Sequence, residues 1–166
     1  MFERLNTPQE AHSFELGAAL KMEHTVLDML DKLGNTTRDE ELKQLFRRHH
    51  HETQQQVAHL ERAFEMLGGE VEESPSPVAA ALDKDAKGTI KKVGKSLVPA
   101  AVLQAAVKTE HHEIAVYENL LVSAEVLGPD DAVALLRENL EQERRMLEEV
   151  QQRLRDRAAT VAEQAV

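Results

Sequence analysis

The stretch TEHHEIAVYENL, residues 109–120, decides how the rest of the chain is read. It lies in an apolar stripe of Leu103, Val107, Glu110, Glu113 with Ile114, Tyr117, Leu120 with Leu121, Ala124 and Leu127. Steps of three and four residues mark one face of an α-helix. Two glutamates three residues apart occupy the middle of that face. Ionisable side chains almost never sit on a buried helix face unless something pairs with them. Working outward, three more stripes make the same exception, at Glu23, at His49 and Glu52, and at Glu143.

Four long helices follow from stripes and stop signals. The first covers about residues 8–33. Thr7 caps it, Pro8 suits its first position, Glu10 completes a capping box, and Gly34-Asn35 ends it. Its stripe is Leu16, Leu20, Glu23, Leu27 and Leu30, flanked by Val26 and Leu33. The second covers about 38–67, with a capping box expected from Thr37 and Glu40 and a stop at Gly68-Gly69. Its stripe includes Leu42, Leu45, Phe46, His49, Glu52, Thr53, Gln56, Leu60, Phe64 and Leu67. The third covers about 97–127 and ends at Gly128-Pro129. The fourth covers about 131–158, with Val133, Leu136, Leu140, Glu143, Leu147, Val150 and Leu154 in its stripe. The Ala-rich tail after Arg157 is expected to fray.

The connections decide the topology. About three residues join the first two helices, which makes them antiparallel neighbours. Residues 68–96 are too many for a structureless loop in a compact domain. A second helix of roughly 30 residues is about 45 Å long, so this segment reads as a crossover to the far end. The apolar run Val78 to Leu82 gives it a short helix of its own. The expectation is all-α: one domain over 1–166, a four-helix bundle with one long crossover, and the third helix parallel to the second.

Composition agrees. Apolar residues are 42% of the chain, charged residues 30% and aromatics 3%, the profile of a helical bundle. A net charge of −10 disfavours nucleic acid and favours cations. With no cysteine, disulfides, iron–sulfur clusters and thiolate zinc sites are excluded. The polar N-terminus MFERLNTPQE is not expected to be a signal peptide, and no apolar run approaches the length of a membrane span. The expected location is cytoplasmic.

In an antiparallel bundle of similar helices the midpoints share one layer. Glu23, His49, Glu52, Glu110, Glu113 and Glu143 all lie near those midpoints. Five carboxylates in an apolar layer repel one another and resist desolvation. Two divalent or trivalent cations resolve both problems, and oxygen ligands with one imidazole suit iron or manganese. Tyr117 and Gln56, on the same faces, are expected as core residues or as partners of the ligands. His50, His51, His111 and His112 read as boundary or second-layer residues, and His12, His24 and His59 as surface or boundary residues. Arg47, Arg48, Arg144 and Arg145 are expected to face outward, and the lysines around 91–95 read as a solvated stretch.

These residues carry a resemblance. Glu23 to Leu33, FRRHHHETQ (46–54), TEHHEIAVYENL (109–120), SAEVLG (123–128) and LLRENLEQE (135–143) resemble the YciE/YciF family of the ferritin-like superfamily. The resemblance implies a ferritin-like bundle, a homodimer and a di-iron-type centre. It also implies a link to stress response, with ferroxidase activity assigned by analogy. Its ligand set would be Glu23 and Glu143 as terminal or bridging ligands, His49 as the nitrogen ligand, and Glu52, Glu110 and Glu113 as bridging or chelating ligands. The chain departs from the usual pattern of Glu-x-x-His on two helices. The second helix has the reversed order His49-x-x-Glu52, and the fourth reads Glu143-x-x-Met146. Glu110-x-x-Glu113 is similar to the paired glutamates of rubrerythrins, but no rubredoxin-like cysteine domain is present.

The functional expectation is a metal-binding, di-iron oxidoreductase that oxidises Fe(II) with O2 or peroxide. The alternatives are a non-enzymatic stress or interaction dimer with a metal-free polar layer, and a dimanganese catalase-like centre. Val102, Val116, Val122, Val126 and Leu135, apolar outside the main stripes, are expected to form the dimer face.

Overall fold

A computed structural model describes the backbone of residues 4–164 and the side chains of residues 4–159. The first three residues of the N-terminal stretch lie outside the described residues. Five α-helices carry the fold: α1 (Pro8–Thr36), α2 (Glu40–Met66), α3 (Pro77–Lys92), α4 (Val98–Leu127) and α5 (Asp130–Gln164). A short 3-10 turn, Lys95–Leu97, leads into α4. No strand occurs among the described residues.

The capping box at α1 forms as read: Thr7 Oγ1 accepts from the Glu10 N–H at 3.1 Å, and Glu10 Oε2 accepts from the Thr7 N–H at 3.2 Å. The expected stop at Gly34-Asn35 does not occur. α1 runs on to Thr36, and the extended Thr37 closes it by donating its N–H to the Leu33 carbonyl. The second box, Thr37 with Glu40, is replaced by a different cap. Thr37 Oγ1 accepts from the Asp39 N–H, and Asp39 Oδ1 accepts from the N–H groups of Glu41 and Leu42. A carboxylate at this position satisfies orphan donors and faces the positive end of the helix dipole, which a hydroxyl two residues earlier does not. Gly68-Gly69 ends α2 as read. Gly68 takes φ +73° and bonds back to Glu65, and the Gly69 N–H reaches the Phe64 carbonyl at 3.1 Å, a Schellman motif.

The bundle is a square of α1, α2, α5 and α4, with α1 beside both α2 and α4, and α5 beside both α2 and α4. His12 of α1 meets Ser123 near the end of α4, and Glu23 meets Tyr117, so α1 and α4 are antiparallel. Arg153 of α5 meets Glu41 near the start of α2, and His59 meets Asn139, so α2 and α5 are antiparallel too. Because α1 and α2 form a hairpin, α2 and α4 run parallel, as a bundle with one long crossover requires. This is the ferritin-like arrangement.

The crossover is more ordered than its sequence suggests. α3 is 16 residues long and continues through Lys84-Asp85 and Gly88. It lies against α1 and α4, and its buried residues are Ala79 and Ala86, two turns apart, small enough for close approach. The segment before α3 crosses α1 at Gly17, where a Cβ would stand 2.5 Å from the Glu72 carbonyl oxygen. Glycine is there because the crossing chain leaves no room for a side chain.

The core fills the square above and below a polar middle. Leu16, Leu20, Phe46, Leu60, Leu103, Leu120, Leu136 and Val150 are buried, and Met22, Met29 and Met146 join them. Leu27, Leu67, Leu147 and Leu154 of the expected stripes are half-buried. α5 continues past Arg157 to Gln164 as helix. No described helix is long and apolar enough to cross a membrane.

Candidate metal centre

The middle layer concentrates buried polar groups from all four bundle helices. α1 supplies Glu23, α2 supplies His49, Thr53 and Gln56, α4 supplies Glu110, Glu113 and Tyr117, and α5 supplies Asn139 and Glu143. Thr53 is satisfied locally by the His49 carbonyl. The rest face one another across the bundle axis.

His49, Glu110, Glu113 and Glu143 form the tightest group. One donor atom from each lies within 4.8 Å of the others, and all four side chains are buried. His49 Nε2 stands 3.4 Å from Glu110 Oε1 and 3.6 Å from Glu143 Oε2. This group could hold a metal ion. Several of its atoms have no hydrogen-bond partner: His49 Nε2, Glu110 Oε2, Glu143 Oε2 and both oxygens of Glu113. Unpartnered buried polar atoms cost roughly 1–3 kcal/mol each, so natural proteins rarely leave several in one place.

Glu23 sits beside this group with a different set of partners. Its Oε1 accepts from the Tyr117 hydroxyl at 2.5 Å, while Oε2 has no partner. Tyr117 in turn accepts from Asn139 Nδ2 at 3.1 Å. Asn139 Oδ1 lies 2.7 Å from His59 Nδ1 at the half-buried edge of α2. A chain of hydrogen bonds thus runs His59, Asn139, Tyr117, Glu23, with one residue from each bundle helix. Gln56 is tied to both sides: its side-chain Nε2 donates to Glu143 Oε1, and its main-chain carbonyl accepts from Asn139 Nδ2 at 3.3 Å.

Glu52 lies apart from the four. Its side chain is 39% exposed, and its Oε2 stands 3.4 Å from His49 Nδ1, on the far side of the ring from Glu110. Helix geometry accounts for this. Three residues along a helix is a rotation about 60° short of a full turn. On α4 the inward face lies between the two glutamates, so both are buried and each brings a carboxylate oxygen into the four-residue group. On α2 His49 itself takes the inward position, so the same step carries Glu52 to the rim.

The electrostatics follow from burial. Loss of solvent pushes the Glu23 carboxyl up to about 7, against the opposing pull of the Tyr117 hydrogen bond and of His49. Burial also holds Glu113 and Glu143 well above the usual carboxylate range, and the neighbouring glutamates add to the rise at Glu113. Burial alone would lower His49, but Glu110 and Glu143 outweigh it and raise the imidazole well above its ordinary value. The His49 hydrogen bond holds Glu52 below the usual range.

The remaining histidines and arginines are placed as follows. His51 and His111 are exposed. His50 is half-buried, 3.6 Å from Asp31, and His112 is half-buried with its Nε2 unpartnered. His12, expected at the boundary, is 4% exposed and bonds Ser123 at 2.6 Å, because the end of α4 covers it. His24 pairs with Glu73 of the crossover. Arg47, Arg48, Arg144 and Arg145 face outward, with Arg48 pairing with Glu149 and Arg144 with Glu118 and Glu141. Of the expected dimer face, Val102 is fully buried within the bundle and Val116 and Leu135 are half-buried. Val122 and Val126 are 71% and 81% exposed. Asn139 escaped the sequence reading, although an amide between Leu136 and Glu143 on a buried stripe is the same kind of exception as the glutamates.

Known proteins share this architecture. A family model described as a domain of unknown function, DUF892, matches residues 7–164. Protein YciF of Escherichia coli K12 is 35% identical over 117 residues, covering 69% of this chain and 70% of that protein. The crystal structure of the E. coli stress protein YciF superimposes with a TM-score of 0.88 at 27% identity, covering 93% of this chain and 99% of that one. YcfI, a putative structural protein from Rhodopseudomonas palustris, superimposes with a TM-score of 0.86 at 29% identity, covering 91% and 98%. The chain therefore belongs to the DUF892 family, the family of YciF.

Proposed function

We propose that the middle layer binds a pair of metal ions, iron first and manganese second, and that the protein is a ferritin-like di-iron oxidoreductase acting in stress protection. The observation that carries this reading is the convergence of unpartnered, fully buried atoms from His49, Glu110, Glu113 and Glu143, beside Glu23. Four buried carboxylates carry four negative charges when ionised, and two divalent ions balance them. His49 Nε2 supplies the nitrogen ligand, Glu110, Glu113 and Glu143 the oxygen ligands, and Glu23 Oε2 completes the set. Such a donor set suits iron or manganese better than softer metals. A carboxylate-held iron pair supplies one-electron chemistry with O2 or peroxide, and Fe(II) itself would be the substrate of a ferroxidase. The protein's own contribution is a dry pocket, a fixed imidazole, and Tyr117 holding one Glu23 oxygen so that the other faces the layer.

The test is metal content after anaerobic Fe(II) loading and desalting, beside Glu110→Ala. About two irons per chain, lost in the variant, support the reading and justify oxygen-consumption assays. No retained iron in either protein removes it in favour of a metal-free interaction dimer, and peroxide disproportionation with manganese alone points to the catalase-like alternative. The homodimer is part of the same proposal. Val122 and Val126 are the most exposed large apolar side chains among the described residues, and sedimentation of Val126→Glu against the unaltered chain tests their role.

A further inference from the structure

Helix α2 places its two candidate ligands in the order His49, Glu52, and the structure separates them. Each His49 ring nitrogen has its own environment. Nε2 points into the layer, toward Glu110 and Glu143, and has no hydrogen-bond partner. Nδ1 points outward, and its partner among the described residues is Glu52 Oε2 at 3.4 Å. Glu52 is 39% exposed, stays in contact with solvent, and donates no atom to the four-residue group.

From this geometry we infer that Glu52 is a positioning residue which holds the proton of His49 on Nδ1, so that the Nε2 lone pair is presented to a cation in the layer. The inference rests on the metal-binding reading and deepens it. A neutral imidazole carries its one N–H on either nitrogen, and only the other nitrogen can bind a metal. A carboxylate on Nδ1 selects that tautomer, fixes the plane of the ring and makes Nε2 a stronger donor. The reversed order along α2 thereby has a use. With histidine first, the ring is buried and the carboxylate three residues on reaches the rim, where it can touch only the outer nitrogen. Glu52 thus acts through His49 and does not take a place among the ligands.

Zn(II) titration of the full-length, metal-free chain against a chromophoric chelator tests this, using the unaltered protein, Glu52→Ala and Glu52→Gln. Nitrogen-15 and proton histidine spectra of the Zn(II)-loaded proteins report the Nδ1–H of His49 and the hydrogen bond it makes. The expected result is unchanged stoichiometry in both variants and an affinity about ten- to a hundredfold lower in Glu52→Ala. Glu52→Gln recovers most of the loss, because its amide oxygen still accepts from Nδ1. In the unaltered and Gln proteins the Nδ1 proton of His49 should be shifted downfield and exchange slowly with solvent, as a proton held by a side-chain acceptor, and in Ala it should lose that shift and exchange faster. A merely structural role for Glu52 would not move that signal. Loss of one bound ion in Glu52→Ala would make Glu52 a ligand and overturn the inference. Unchanged affinity with an unchanged Nδ1 proton would overturn it too, leaving the metal-binding reading intact. If the unaltered chain binds no Zn(II) and retains no iron, the metal-binding reading itself fails and takes this inference with it.

Discussion

Glu23 and Glu113 are both fully buried and share one layer, yet they are treated differently. Glu23 is anchored by the Tyr117 hydroxyl at 2.5 Å, and Asn139 and His59 support that anchor. Neither oxygen of Glu113 has a partner, and the nearest charged groups include Glu110, Glu143 and Glu23, all of its own sign. The Tyr117 side of the layer is a largely satisfied network of the kind that fixes a unique core. On the other side Glu113 faces carboxylates of its own sign with no hydrogen-bond partner of its own, which a protein tolerates when something of opposite charge is to be bound. The contrast separates a part of the layer that serves the fold from a part that the fold tolerates.

The largest expected effect is a change of sign. Glu113→Met should reduce Zn(II) or Fe(II) affinity by more than about a hundredfold, beyond the range of outer-layer losses. The same substitution should make the metal-free protein more stable, by roughly 1–3 kcal/mol, because an unpartnered buried carboxyl is replaced by an apolar chain of similar length. Urea unfolding of both proteins, with and without metal, measures this. A metal-free variant less stable than its parent would mean that Glu113 belongs to the satisfied network after all.

Acid–base behaviour gives the next effect. The Glu23 carboxyl titrates near 7 in the folded chain against an ordinary value of 4.5. A raised folded value contributes stability that is complete below the unfolded value and is lost as pH rises through the folded one. His49 is raised as well and has the same sign. The metal-free protein should therefore lose stability between about pH 5 and about pH 8, by roughly 3 kcal/mol from Glu23 alone. Metal binding needs ionised ligands, so the stabilisation by added metal should grow over the same interval. Melting temperatures across that range decide it. A flat profile without metal would show that the carboxyls are held by partners rather than by burial.

How far the sequence carried this reading depends on the same geometry. The caps at Thr7 and Gly68, the long stripes and the over-long crossover were legible because each is a local signal with a local cause. So was the height of the layer, since every stripe is broken by an ionisable group near its middle. Which i, i+3 partner points inward was not legible. Glu110 with Glu113 and His49 with Glu52 have identical spacing, but the face of α4 turned to the bundle axis lies between the first pair, whereas on α2 it centres on His49. The second cap moved from Thr37 to Asp39 because two good capping residues stand two apart, and the turn out of α1 chose between them. Gly34 read as a stop, but its neighbours continue the helix and no left-handed residue is needed there.

The satisfied side of the layer can be broken directly. Tyr117→Phe removes the hydroxyl between Asn139 and Glu23 and leaves Glu23 Oε1 without a donor. A loss of roughly 1–3 kcal/mol is expected in the metal-free protein, opposite in sign to Glu113→Met. Metal stoichiometry should be kept, since Tyr117 holds a ligand's orientation and not an ion. Denaturant midpoints and bound-metal analysis on one preparation separate the two effects. A stability gain in Tyr117→Phe would erase the distinction between the two sides.

The smallest effect probes how far the satisfied network extends. His59 sits at the half-buried rim of α2, and its link to the layer is the 2.7 Å contact with Asn139 Oδ1. His59→Ala should cost about 0.5–1 kcal/mol, the net worth of one partly solvated hydrogen bond. The informative quantity is its coupling to Tyr117→Phe. If the four residues act as one chain, removing the phenol already loosens Asn139 from its place beside Tyr117, and His59 is then worth less. The double variant should lose less than the sum of the single losses, with a coupling of at least about 0.5 kcal/mol across residues that do not touch. Strict additivity would confine the network to Tyr117 and Glu23. In that case Asn139 would be a satisfied core amide whose contact with His59 does nothing for the layer.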